Sequence, residues 1–529
     1  MILTSVFIIK VVSKKCIKVP LDYLPSKFIV NYNRRKGISF LMQERIGIIY
    51  GDTTSTAFTF ASHKEIKRME YITVPHEEGN VLAQVREVKK ISKLSIENVL
   101  IEEIKEEKEK ISATADVIGY LSGRGLRIPR TPFKPGESVY KADEHLIRKV
   151  LGLREEGAYI GLLRDTDIKV YLDVDTLIQK HMCILAKSGS GKSYVMGVIS
   201  EELLKKKVPI VIIDPHGEYA SLIHPNLEKN ELDLMKRFGV KPKGYGNAVV
   251  QYSPDCNANP DALPLHLDEI NLDLKDLLDI IPSKLTGVQK GILYQAIKET
   301  KEGKRVYLLD DIIQQIKKAK SSAKWNLIPL LEELKDMNLF SPDATPIESL
   351  VKEGKCSLIN LRGVSPHIQE VVVSHLLTKI FEARKENAIP PLLVVVEEAH
   401  RYCPERGQGT AVSAEILRTL ASEGRKFGVG LAIVSQRPAR VEKNVISQCN
   451  TQIILKTTNP HDVKAIVSSV EGLTTGAVDE IQRLPIGMAI VSGLPIHAPI
   501  FVEIRVRETR HGGRGEAIVD KKPKFFHLR

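Results

Sequence analysis

From residue 177 onward, short unbroken apolar runs alternate with longer stretches in which apolar residues recur at helical spacing. That is the signature of strands buried on both faces of a parallel sheet and of the helices covering them. The spacing predicts strands at 182–185, 208–213, 357–361, 392–396, 429–434, 452–456 and 488–492. Helices are expected over about 192–207 and 367–385. Between residues 45 and 175 the pattern is different. Brief β-type runs at 46–49, 58–60, 71–74, 81–88, 116–121, 138–140 and 168–172 are separated by Gly and Pro turns, which suggests a small barrel. The charged segment 92–112 reads as a solvated helix face. Residues 125–137, with three prolines, read as a rigid barrel loop. Residues 221–262 look like an irregular connection. Leu stripes over 265–340 predict an inserted helical subdomain. The expected class is therefore α/β, with an N-terminal β-barrel over 42–175 and an α/β core over 176–264 and 341–495. The helical insert covers 265–340, and a basic C-terminal arm over 496–529 is too rich in Gly and charge to be core.

Composition adds limits. A length of 529 residues suggests about three domains. The apolar fraction of 43% and charged fraction of 27% fit a globular chain. No apolar run approaches the roughly 18 residues of a membrane span. Six scattered cysteines form no C-x-x-C pair, which argues against zinc or disulfides and fits a cytoplasmic location. The net charge is +12, but residues 1–41 hold eight Lys/Arg and one Asp, leaving only about +5 on the rest. That balance permits an anionic partner without demanding one. The first 41 residues read as a basic tail, an extension, or sequence upstream of a physiological start at Met42. A native N-terminal peptide spanning Lys36 to Arg45 would exclude the last.

The chemistry starts where the first apolar run ends. Ala186-Lys187-Ser188-Gly189-Ser190-Gly191-Lys192-Ser193 lies between a strand and a helix, the context of a phosphate-binding P-loop. Glycines let N–H groups turn toward phosphate oxygens, and the helix N-terminus adds its dipole. Lys192 would reach the β- and γ-phosphates of ATP, and Ser193 would hold Mg²⁺. Asp214-Pro-His-Gly-Glu-Tyr follows the next strand and brings Asp214 to the same sheet edge, either as a ligand or as the cap of the following helix. Pro391-Leu-Leu-Val-Val-Val-Glu-Glu has the Walker B pattern, with Glu397 for the Mg²⁺ shell and Glu398 to orient the attacking water. Gln436 ends another strand and could sense the γ-phosphate. Arg425 and Lys426 precede that strand, on the opposite side. They either complement a helix C-terminus or reach a neighbouring subunit's nucleotide.

Taken in order, Ala186–Ser193, Asp214-Pro-His-Gly-Glu-Tyr, Val396-Glu-Glu-Ala-His, Glu423-Gly-Arg-Lys-Phe-Gly and Ser435-Gln-Arg-Pro resemble archaeal HerA, of the FtsK–HerA group of RecA-like motor ATPases. The resemblance spans about 42–515. It implies a RecA-like core with the family's leading barrel and a hexameric ring that translocates along DNA. It also implies bidirectional helicase activity and a NurA-type nuclease partner in end resection for double-strand break repair. By the same resemblance Arg425 is a trans-acting finger, Lys180 is a basic nucleotide contact before the P-loop strand, and Arg510 and His511 belong to a brace near a nucleotide pocket. DNA would meet basic loops such as 401–410, with Arg401 and Arg406. The alternatives are an FtsK- or conjugation-type pump of DNA or protein, which a membrane-tethering helix would favour, and a regulatory P-loop switch.

Overall fold

A computed structural model describes residues 44–91, 110–123, 125–281, 285–336, 339–470, 477–493 and 495–512, with four short strands before them. Those four form two antiparallel pairs, Phe7–Lys10 with Cys16–Val19 and Phe28–Asn33 with Gly37–Met42. Met42, the possible start, ends the last of these strands. The charged segment 92–109 lies outside the described residues. The chain divides into two compact units, Met1–Leu153 and Arg154–Arg529.

The first unit is built on a closed barrel. Arg45–Tyr50 pairs with Ala57–Ser62 on one side and Ser138–Lys141 on the other. The circuit continues through Tyr71–His76, Gly79–Ile91 and Lys110–Ser122, and returns to Ala57–Ser62. Closure leaves none of these six strands with a free edge. Register shifts at Leu82/Ala83 and Val85/Glu87 mark bulges that bend the longest pair around the barrel. Ile49, Phe58, Phe60, Ile72, Val74 and Val81 fill the interior. The proline-rich segment opens with a short strand, Gly125–Arg127, paired to Lys110–Ser122. It is pinned at Phe133, whose ring is 1% exposed and whose carbonyl accepts from Thr53 Oγ1 at 2.6 Å.

The second unit carries a twelve-stranded sheet. Its parallel part runs Thr451–Ile454, Met182–Leu185, Val429–Ser435, Leu392–Val396, Ile210–Asp214, Cys356–Asn360, Val249–Ser253 and Leu263–Pro264. Met488–Ser492, Ile500–Ile504, Ala158–Leu163 and Lys169–Leu172 extend it antiparallel beyond Thr451–Ile454. Every residue of the four central strands after Thr451–Ile454 is buried, as unbroken apolar runs require.

Three expectations need correction. The run at 168–172 is an edge strand of this large sheet and takes no part in the barrel. The connection 221–262 contains the strand Val249–Ser253 and the helix Leu232–Phe238. The arm after residue 496 is core as far as Thr509. Ile500–Ile504 is a sheet strand, and Arg505 and Arg507 are 0% and 1% exposed. These arginines are buried because carboxylates were waiting for them, as described below.

The helical insert contains Leu274–Ile280, Gly287–Gly303, Leu309–Lys318 and Lys324–Asp336. Its Leu and Ile stripes are its own core. A two-residue parallel ladder, Leu267–Asp268 with Phe340–Ser341, closes its base.

Candidate functional site

The loop after Met182–Leu185 is tied to both neighbouring strands. Ala186 N–H donates to Ser435 O at 3.2 Å and Lys187 N–H to Lys456 O at 3.0 Å. Ser190 Oγ donates to Lys456 O at 3.1 Å. Gly189 (φ +74°) and Gly191 (φ +97°) lie in the left-handed region that a Cβ disfavours. The helix Lys192–Lys205 follows, with Gly191 at its N-cap and no capping side chain. Its first N–H groups are thus free of side-chain partners, as an anion site requires. Lys187, Ser188 and Gly189 are exposed, Ser190 and Lys192 are buried, and Gly191 and Ser193 are half-buried.

The acidic pair ends the strand Leu392–Val396 at the same sheet edge. Glu397 N–H donates to Ile213 O at 3.2 Å. Its carboxylate accepts from Tyr219 Oη at 2.7 Å. Burial pushes the Glu397 carboxyl up to about 8, with the Tyr219 bond and the Lys192 charge opposing the shift. Glu398 is 4% exposed and has φ +53°, a conformation that costs a non-glycine residue energy and clusters at functional positions. Its Oε1 lies 3.7 Å from Lys192 Nζ and its Oε2 lies 3.2 Å from His400 Nδ1. Oε2 makes no aligned hydrogen bond among the described residues.

Asp214 directs both oxygens to backbone, accepting N–H groups of His216 (3.2 Å), Gly217 (2.8 Å) and Tyr219 (3.0 Å). It shapes the turn that brings Tyr219 to Glu397. Gln436 sits half-buried at the carboxyl end of Val429–Ser435, beside the P-loop strand.

Arg425 and Lys180 occupy the other edge. Arg425 is exposed in the 3₁₀ turn Gly424–Phe427, just before Val429–Ser435. Seven residues of strand at about 3.3 Å each put it roughly 20 Å from its own chain's P-loop. Lys180 precedes the P-loop strand on this same edge, next to His181. His181 Nδ1 accepts from Leu431 N–H at 3.0 Å. Burial, helped by the Arg425 charge, lowers the His181 pKa to about 4.

His511 and Arg510 part company. The His511 ring meets Tyr194, the residue after Ser193, edge-on at 5.3 Å. Arg510 is exposed and lines a shallow pocket with His224, Leu227 and Lys229.

Several site residues escaped the sequence reading. Glu201 and Glu202, 0% and 5% exposed on the P-loop helix, hold the C-terminal strap. Arg505 bridges to both at 2.9 and 2.8 Å. Glu201 also takes the Thr509 N–H at 2.9 Å and the Glu508 N–H at 3.1 Å. Arg507 packs so closely on Gly197 that a Cβ there would meet Cζ at 2.5 Å. The signal was present as two adjacent acids in an otherwise apolar helix, opposite an Arg-Val-Arg-Glu-Thr run.

In the parallel core the P-loop strand is separated from the acidic-pair strand by one strand, Val429–Ser435. Lysine, glutamate and the polar end of that intervening strand converge at one edge. These features define a RecA-like P-loop ATPase. The family described as "Helicase HerA, central domain" matches residues 158–380. A probable DNA double-strand break repair helicase HerA of Methanocaldococcus jannaschii is 30% identical over 520 residues, covering 89% of this chain and 97% of that protein. A probable helicase of the same organism, MJ1565, is 28% identical over 522 residues, covering 91% of this chain and 95% of its own. Among solved structures, VirB4 of Thermoanaerobacter pseudethanolicus shares the fold, with a TM-score of 0.50 at 16% identity, over 67% of this chain and 97% of that one. The chain belongs to the HerA helicase family and is an ATP-dependent DNA helicase. Among the described residues no helix is long and apolar enough to cross a membrane.

Proposed function

We propose that the protein is a hexameric, ring-forming DNA translocase with six shared ATP sites that moves in either direction and works with a NurA-type nuclease to resect ends in double-strand break repair. The observation that carries this reading is the division of the site between two edges. Lys192, Glu397 and Glu398 stand at the carboxyl edge, and Arg425 with Lys180 stands roughly 20 Å away at the amino edge. A ring brings the second edge of one subunit to the first edge of the next.

The residues fit Mg²⁺-ATP. The backbone of Lys187–Ser193 would cradle phosphates, and Ser193 with Glu397 would hold the metal, whose chemistry is to neutralise charge on the transferred phosphoryl group. Lys192 leaves Glu398 for the phosphates, freeing that carboxylate to orient water. Gln436 senses the γ-phosphate, and His511 lies beside the P-loop helix as part of the brace. Replacing Lys192 by Ala is expected to abolish turnover, measured as phosphate release.

The deciding assay is ATPase rate with and without duplex DNA, and with and without the nuclease. Absence of DNA stimulation in both conditions removes the translocase reading. Arg425→Ala subunits mixed with wild type should poison the ring beyond simple dilution, because a trans arginine contributes on the order of 10³–10⁵ in rate. Linear dilution of activity refutes the trans role. DNA should be held by its phosphates, so binding should be sequence-tolerant and fall steeply with salt. Affinity that is flat across a salt titration contradicts this.

A further inference from the structure

Glu398 and the two loops beyond it are joined through one imidazole. His400 Nδ1 lies 3.2 Å from Glu398 Oε2 and 3.3 Å from Ser435 Oγ. Ser435 in turn accepts the Ala186 N–H of the P-loop through its carbonyl and the Arg437 N–H through its hydroxyl, at 3.1 Å. The ring therefore stands where P-loop, acidic pair and sensor strand meet.

The chain leaves this point as two segments zipped to each other. Ala399 N–H donates to Val434 O at 3.0 Å, Glu442 N–H to Cys403 O at 3.0 Å, and Glu405 N–H to Arg440 O at 2.8 Å. Pro404 and Val441 form a bridge. Three exposed arginines ride on this zipper: Arg401 on one segment, Arg437 and Arg440 on the other. No ion pair engages them among the described residues. The nearby carboxylates are committed elsewhere. Glu405 takes the Lys443 N–H (2.8 Å), Asp462 the Ala439 N–H (3.0 Å), and Glu442 pairs with Arg418 (2.5 Å). Burial, then the charges of Arg401, Arg437, Arg440 and Lys192, lower the His400 pKa to about 4 and keep the ring neutral. The cluster is thus electrostatically in touch with His400.

We propose that Arg401, Arg437 and Arg440 form a site for backbone phosphates, and that His400 is a positioning residue transmitting its occupancy to the Glu398 carboxylate. The proposal rests on the DNA-motor reading above and deepens it by naming how DNA sets the hydrolysis rate. A phosphate drawn onto the zipper shifts both segments together. Because Ser435 and Glu398 share the same ring, that shift reorients the carboxylate relative to the P-loop.

The test uses the full chain. Duplex affinity is measured by fluorescence anisotropy, and ATP turnover is measured with and without saturating duplex. His400→Ala should bind duplex within about twofold of wild type while the ratio of DNA-stimulated to unstimulated turnover falls to about 1. His400→Asn, which keeps a polar atom near Nδ1, should restore part of the ratio. Arg437→Ala should reduce the salt slope of binding by about one and raise the DNA concentration giving half-maximal stimulation. A His400→Ala protein stimulated like wild type overturns the coupling. So does one that loses turnover equally with and without DNA, since the ring would then only support Glu398. Wild-type protein that binds no duplex removes the motor reading itself, and the coupling with it.

Discussion

Glu398→Gln is expected to bind nucleotide like wild type and to hydrolyse it about 10²–10⁴ times more slowly, the usual contribution of a positioned acid–base group. The substitution is nearly isosteric. It leaves the φ +53° turn and the Ala399-to-Val434 hydrogen bond in place, so the P-loop keeps its support from the strand Val429–Ser435. What it removes is the negative charge between Lys192 and His400. Affinity for a fluorescent ATP analogue and single-turnover hydrolysis separate the two effects. Turnover that survives places the base elsewhere, and loss of binding makes Glu398 a structural counter-ion of Lys192.

Arg505→Ala is the second large effect, and it falls on stability. The guanidinium is fully buried and bridges Glu201 and Glu202, while donating to Tyr159 O and Val506 O. Removing it strands two carboxylates beneath the strap. Breaking such a buried pair costs about 3–5 kcal/mol. Lysine should not rescue it, because a single ammonium cannot serve four acceptors in a plane. Removing Arg237 from its solvent-facing pair with Glu503 should cost no more than about 1 kcal/mol. Urea denaturation of the two variants measures the contrast. Equal losses would mean that the buried network adds nothing beyond a surface pair.

The P-loop and the acidic pair were legible because each is a contiguous string whose chemistry and strand–loop context lie side by side in the chain. The same holds for the insert, whose helices bury their stripes against one another. What failed was information held across space. The run at 168–172 has the right alternation for a strand, but alternation does not say which sheet receives it. Val249–Ser253 mixes apolar and polar residues behind a Gly- and Lys-rich stretch, so it lacked the unbroken apolar run of its neighbours. Lys180 stands nine positions before Gly189 in the chain, and the strand between them places it at the far edge. The arm looked too charged to be core because each arginine was weighed alone. With Glu201 and Glu202 opposite, Arg505 and Arg507 are interior residues.

The ladder at Leu267–Asp268 and Phe340–Ser341 lets the polypeptide depart from the ATPase sheet and rejoin it at a single point. Everything between folds around its own apolar stripes and meets the ATPase helix Pro366–Lys385 through the ion pairs of Lys275 with Glu382 and Asp276 with Lys379. A helix gained or lost there alters the face offered to other molecules without changing the spacing from P-loop to Arg425. Members of such a lineage can therefore acquire new associates at this position while the motor beneath stays unchanged.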